Sequence, residues 1–184
     1  MATLLELSAG YAVGVVAEVG PELLSRPTPC AGWDLRMLLD HVNESLAALH
    51  EGMTGGKVAL TSPDLFPAAD PVLIFRDRAS RLLCASDRPG CPASVAIADR
   101  SVPASVMTAM ASIEIAVHGW DVSQACGQRL PVPHGLAAEL LELSVLLVPR
   151  AGRYPLFGPP VPVPRTASPS DRLTAFLGRA LFLS

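Results

Sequence analysis

Apolar side chains return every three or four residues through most of this chain, a period that predicts helices rather than strands. From about Thr3 to Leu24 the stripe is Leu4, Leu7, Tyr11, Val15, Val19 and Leu23, interrupted by Gly10, Gly14 and Gly20, with Pro21 near its end. Two prolines make residues 25–32 an extended connector. Asp34 then caps a second helix carrying Leu35, Leu38, Val42, Leu46 and Leu49 to about Glu51, with Gly52–Gly56 as its stop and His41 at the edge of its stripe. Residues 57–68, with Pro63 and Pro67, are expected to be a loop. A third helix is expected from Pro71 to about Ser86, where Leu73, Phe75, Leu82, Leu83 and Cys84 alternate with Arg76, Arg78 and Arg81. Asp87–Pro92 is expected to turn.

Residues 94–102 alternate loosely and suggest a short extended connection. Pro103 at the first helical position opens a fourth helix that stops at Gly127. Leu136, Leu140, Leu143 and Leu147 mark a fifth from Gly135 to Val148. Phe157–Pro164 is proline-rich and should lie extended on the surface. Ser168, Pro169 and Asp171 start a short docking helix that closes at Gly178. Four main helices, a supporting fifth and almost no strand signal predict an all-α fold, with an antiparallel bundle as the default.

Composition narrows the function. Half of the 184 residues are apolar and 17% are charged, which excludes disorder and suits one domain spanning 1–184. Net charge is −3 and the cations, nearly all arginine, are scattered. A nucleic-acid partner therefore has no electrostatic footprint. Cys30, Cys84, Cys91 and Cys126 form no C-x-x-C pair and are expected to be reduced and to pack as small hydrophobes. The first arginine is Arg26, so no basic leader region precedes an apolar run, and no run reaches the ~18 residues of a membrane span. The protein is expected to be cytoplasmic.

The chemistry concentrates in Glu114-Ile-Ala-Val-His118-Gly-Trp-Asp121. Residues four apart share a helix face, so Glu114 and His118 aim at one point. A carboxylate on so apolar a helix is costly unless it is paired or coordinated. His41, on another helix, would complete a three-ligand site of the kind that leaves a fourth position open. Asp121, one turn on, could orient a ligand's second nitrogen or a water. The plainer reading is a Glu114–His118 hydrogen bond. His50 and His134 read as surface residues.

Three blocks resemble a known family. Arg26-Pro-Thr-Pro-Cys-Ala-Gly-Trp-Asp-Leu-Arg-Met-Leu-Leu-Asp-His41, then Glu114 to Gly127, then Phe157-Gly-Pro-Pro-Val-Pro-Val-Pro with Asp171-Arg-Leu, are similar in order to the signatures of actinobacterial proteins related to mycothiol-dependent maleylpyruvate isomerase, in the DinB/YfiT-like superfamily. The resemblance implies a four-helix bundle with a long crossover. It maps the family's metal ligands onto His41, Glu114 and His118, with zinc as the expected ion, although nitrogen–oxygen sites also accept nickel, iron or manganese. It implies thiol chemistry on a small molecule: mycothiol, a co-substrate, transferred to an electrophile or added and removed to isomerise a double bond. An acidic substrate could meet Arg76, Arg78 or Arg81. Bundles of this superfamily often dimerise, so a homodimer is expected. The additional C-terminal domain with which the isomerase helps to bind the thiol has no expected counterpart in residues 1–184. The alternative is a metal-free use of the same pocket, as a small-molecule-binding protein or as a tailoring cyclase or isomerase. A third is a non-enzymatic stress or interaction protein.

Overall fold

The structure is a computed structural model that describes residues 2–59, 69–86, 90–149, 151–153 and 157–180. Among the described residues, six α-helices carry it: α1 (Leu4–Val16), α2 (Leu35–Gly55), α3 (Pro71–Ser86), α4 (Ala104–Ala125), α5 (His134–Leu147) and α6 (Pro169–Phe176). Three short strands among the described residues, β1 (Lys57–Val58), β2 (Ser94–Ile97) and β3 (Arg100–Pro103), form a small sheet. β1 pairs parallel to β2, and β2 pairs antiparallel to β3. Of the expected loop over 57–68, residues 60–68 lie outside the described residues, as do residues 87–89 of the expected turn.

Helices α1 to α4 form the bundle. Asn43 of α2 donates to the Pro71 carbonyl at the start of α3, while His50, two turns on, lies beside Arg81 and Cys84 near its end. α2 and α3 therefore run parallel, the arrangement of a bundle with a long crossover. Against α4, His41 faces His118 while Gly52 faces Met107, so this pair is antiparallel. An all-antiparallel bundle is thus replaced by one with parallel neighbours.

The helix starts follow local chemistry. Thr3 and Glu6 form a capping box at α1, the Asp34 carboxylate accepts from the Met37 N–H at 2.8 Å, and Ser168 accepts from the Asp171 N–H at 3.1 Å. Leu35, Leu38, Leu39 and Leu46 of α2 are wholly buried, together with Phe75 and Leu82 of α3. Each such side chain contributes about 1.5–3 kcal/mol by leaving water.

Three further expectations change. α1 ends at Val16 rather than near Leu24, and a single 3₁₀ turn, Pro21–Leu23, follows Gly20. Its inward face is Leu5, Ser8, Ala9, Ala12, Val15 and Val16, whereas Leu7 is 44% exposed. The partner helix selected small residues: a Cβ on Gly119 of α4 would lie 3.1 Å from the Ala12 Cβ and 3.2 Å from its Cα. α2 runs a turn past Glu51 to Gly55, and within the expected stop Gly52–Gly56 it is Gly56, left-handed at φ 68°, that ends it. Gly52 is a packing residue, since a Cβ there would meet Met107 Cε at 2.5 Å and Val95 Cγ1 at 2.9 Å. The extended connection over 94–102 is a β-hairpin turning at Ala98 and Asp99, with Ala98 at φ 53°. Val58 and Val95 anchor the sheet against Met107.

α5 and α6 pack on the outer side of α4 and α1. Trp120, Ile113 and Val117 meet Leu136, Leu140, Leu173 and Leu177 in a second core. Among the described residues no helix is long and apolar enough to cross a membrane.

Candidate metal centre

α2 and α4 cross so that His41 and Ser45 face Glu114 and His118. One ligand atom from each of His41, Glu114 and His118 falls in a group whose members all lie within 4.8 Å of one another. His41 Nε2 stands 3.4 Å from Glu114 Oε1. That is long for an N–H···O hydrogen bond. It does match the separation of about 3.3 Å between ligand atoms held tetrahedrally at about 2.0–2.1 Å from one zinc ion. The imidazoles of His41 and His118 meet edge to face, with centroids 5.3 Å apart. Both the His41 and Glu114 side chains are about one-third open to solvent (38% and 33%), so the cluster is accessible from outside.

The charges suit a cation. Burial works against ionisation of Glu114, but the neighbouring imidazoles of His41 and His118 and a hydrogen bond from Ser45 hold its carboxyl below the usual range. His118 is tied from behind. Its Nδ1 lies 3.0 Å from Asp121 Oδ2, and because an ionised carboxylate only accepts, Nδ1 carries the proton and Nε2 is left to coordinate. Asp121 is wholly buried. Burial would raise its pKa, yet the Arg179 guanidinium and the His118 hydrogen bond bring it down to about 2.

Asp121 joins three remote segments. Besides His118 it takes Arg179 Nη2 at 2.8 Å and Nε at 3.3 Å, and the Cys30 thiol at 3.4 Å. Cys30 is therefore no mere hydrophobe: burial and the neighbouring Asp121 charge push its thiol up to about 12. It sits in a closed loop of the α1–α2 connector. There the Thr28 hydroxyl donates to the Trp33 carbonyl at 2.9 Å and the Trp33 N–H donates to the Cys30 carbonyl at 3.0 Å. The same loop brings the Trp33 ring within 4.9 Å of the His41 ring, where it forms a wall of the site. Cys30, Trp33, Ser45 and Arg179 are the site residues that sequence reasoning missed. Cys30 and Trp33 stand in the Pro-Thr-Pro-Cys-Ala-Gly-Trp block, which was a signal. Arg179 had none beyond its place next to Gly178.

Residues 5–123, about two-thirds of the chain, match the mycothiol maleylpyruvate isomerase N-terminal domain. The chain belongs to this family. Two relatives, uncharacterized proteins of Mycobacterium tuberculosis strains H37Rv and CDC 1551, are each 30% identical over 175 residues, covering 91% of this chain and 91% of the relative. His41, Glu114, His118, Asp121 and Cys30 all fall within the part matched to the family. Arg179 lies beyond it.

The three arginines of α3 stand apart from this centre. Arg78 donates to the Asn43 carbonyl at 2.6 Å, Arg81 pairs with Asp77 at 2.9 Å and Arg76 is exposed. Arg78 and Arg81 border a cleft of about 590 Å³ between α2 and α3, with Leu46, His50 and Leu73. His50 is half-buried there, while His134, the first residue of α5, is exposed.

Proposed function

We propose that this chain is a metal-dependent enzyme acting on a small molecule, with His41, Glu114 and His118 as the ligands of one divalent ion and a thiol of the mycothiol class as co-substrate. The observation that carries the reading is the convergence of two imidazoles and one carboxylate at ligand spacing, with the second nitrogen of His118 already bonded to Asp121. A set of two nitrogens and one oxygen suits zinc and leaves a fourth position for substrate. When bound, a divalent ion there would lower the pKa of a thiol so that it is presented as thiolate.

The chain's own residues supply the rest. Asp121 keeps His118 in one tautomer and one orientation. Ser45 donates to the Glu114 oxygen that faces His41, and Trp33 packs against the His41 ring. The reaction class that follows is thiol transfer to an electrophile, or thiol-assisted isomerisation of a double bond. The test is metal analysis of protein purified without a histidine tag. One zinc-class ion per chain is expected, lost in His41→Ala. Protein without stoichiometric metal, after growth in zinc-replete medium and on reconstitution, would reject the reading.

One observation favours a second reading, in which the same pocket binds or isomerises a small molecule without metal. Glu114 is already bonded by Ser45 and flanked by His41, an arrangement that could move a proton between carboxylate and imidazole. Activity that survives chelator would select this second reading, and activity restored by Zn²⁺ after chelation the first.

A further inference from the structure

Among the described residues, two possible ligand sets overlap in this site, and both use His118. The first is His41, Glu114 and His118. The second is Cys30, His118 and Asp121, whose ligand atoms also lie within 4.8 Å of one another. Sulfur, imidazole and carboxylate together make a good zinc donor set, and by softness alone the thiolate would draw such an ion inward. We propose that Arg179 is the selector between them: by occupying Asp121 it closes the inner set and leaves the outer one for the ion. This rests on the metal reading above and deepens it.

The argument is geometric. Arg179 binds both oxygens of Asp121, with Nη2 at 2.8 Å from Oδ2 and Nε at 3.3 Å from Oδ1. A guanidinium has no lone pair to offer a metal and does not deprotonate, so it stays as a fixed positive charge where a second ligand set would need an ion. Its Nη2 also lies 3.8 Å from Cys30 Sγ, so the same group faces two of the three inner ligands. It is held in place: the side chain is 12% exposed, Nη1 donates to the Leu177 carbonyl at 2.9 Å and the backbone N–H to the Thr174 carbonyl at 2.9 Å.

Asp121, saturated in this way, stays an acceptor for His118 Nδ1 and the Cys30 thiol and is not free to bind the ion. With the Cys30 sulfur kept off the ion, the fourth position stays open to a thiol from outside, which the proposed chemistry needs. Arg179 is thus a positioning residue. It touches neither the ion nor the substrate, and acts through Asp121.

Cobalt(II) titration of metal-free protein tests this, because a thiolate ligand adds a strong near-ultraviolet charge-transfer band that nitrogen and oxygen ligands lack. Wild type is expected to take up one equivalent without that band. Arg179→Met should bind cobalt with the band, the thiol proton passing to solvent, and Arg179→Met/Cys30→Ser should lose it again. A band in wild type, or a spectrum unchanged by Arg179→Met, would overturn the selector role while leaving the metal reading intact. No uptake by wild type would overturn both. Should Arg179→Met fail to fold, Arg179→Lys, whose ammonium reaches one carboxylate oxygen at a time, is expected to show a weaker band, and its absence would overturn the proposal. Cys30→Ser in the wild-type background should leave the cobalt spectrum unmoved, and a changed spectrum would count against the role.

Discussion

Asp121→Ala is expected to destabilise the fold by about 3–5 kcal/mol, the cost of leaving a buried charge without its partner. The orphan is Arg179, whose guanidinium is 12% exposed and has Asp121 as its ion-pair partner. Burial would lower the arginine's pKa, and the Asp121 charge overcomes that to hold it above its ordinary value. The aspartate is also the acceptor for Cys30 and His118, so its removal strands three donors from three parts of the chain at once. Against a total stability of about 5–15 kcal/mol for a domain, this is a large fraction. Chemical denaturation monitored by far-ultraviolet circular dichroism measures it. The double variant Asp121→Leu/Arg179→Met should recover most of the loss, because removing both members of a buried pair leaves no unpaired charge. If Asp121→Ala costs less than about 1 kcal/mol, as an exposed pair would, or if the double variant is as unstable as the single one, the ion pair does not play this part.

The way this cluster escaped the sequence shows where periodicity stops being informative. Glu114 and His118 are four apart on one helix, and local geometry alone puts them on one face. His41 was legible as a histidine at the edge of the α2 stripe. The pairing of Asp121 with Arg179 spans 58 positions and that with Cys30 spans 91, and no period relates such residues. They meet because the connector before α2 and the end of α6 both return to one side of α4.

The sheet was hidden for a different reason. β1 has two residues, and β2 and β3 have four each, too short for alternation to stand out, while each of β1 and β2 buries one valine. On α1 the large apolar residues do not by themselves mark the buried face, because the partner helix selects small ones. Ala9 and Ala12 point inward where α4 approaches closely at Gly119, and Leu7 is left outside. The capping signals at Asp34 and Ser168 fared better, since they depend only on residues within one turn.

Gly178→Ala should bring the second large loss, about 2–4 kcal/mol, through two terms that separate experimentally. Gly178 has φ 89°, a conformation that strains any residue with a Cβ by about 1–3 kcal/mol. Its surroundings add a second term: an added Cβ would lie 2.7 Å from the Gly158 Cα and 2.8 Å from its carbonyl carbon, so a backbone strand rather than a side chain must move. Gly127 (φ 74°) and Gly152 (φ 66°) share the left-handed conformation, but a Cβ on either meets nothing within 4 Å. Gly127→Ala and Gly152→Ala should therefore show the conformational term alone, and the excess at Gly178 measures the contact.

That contact matters for more than stability. The Phe157-Gly-Pro-Pro segment and the end of α6 cross at these two glycines, and the next residue is Arg179. Pushing the two backbones apart displaces the guanidinium from Asp121, so the variant should also acquire the sulfur-to-cobalt band expected for Arg179→Met. Equal losses for Ala at 127, 152 and 178 would show that the crossing gives way freely, and that Arg179 is held by its own hydrogen bonds rather than by the fit of Gly158 against Gly178.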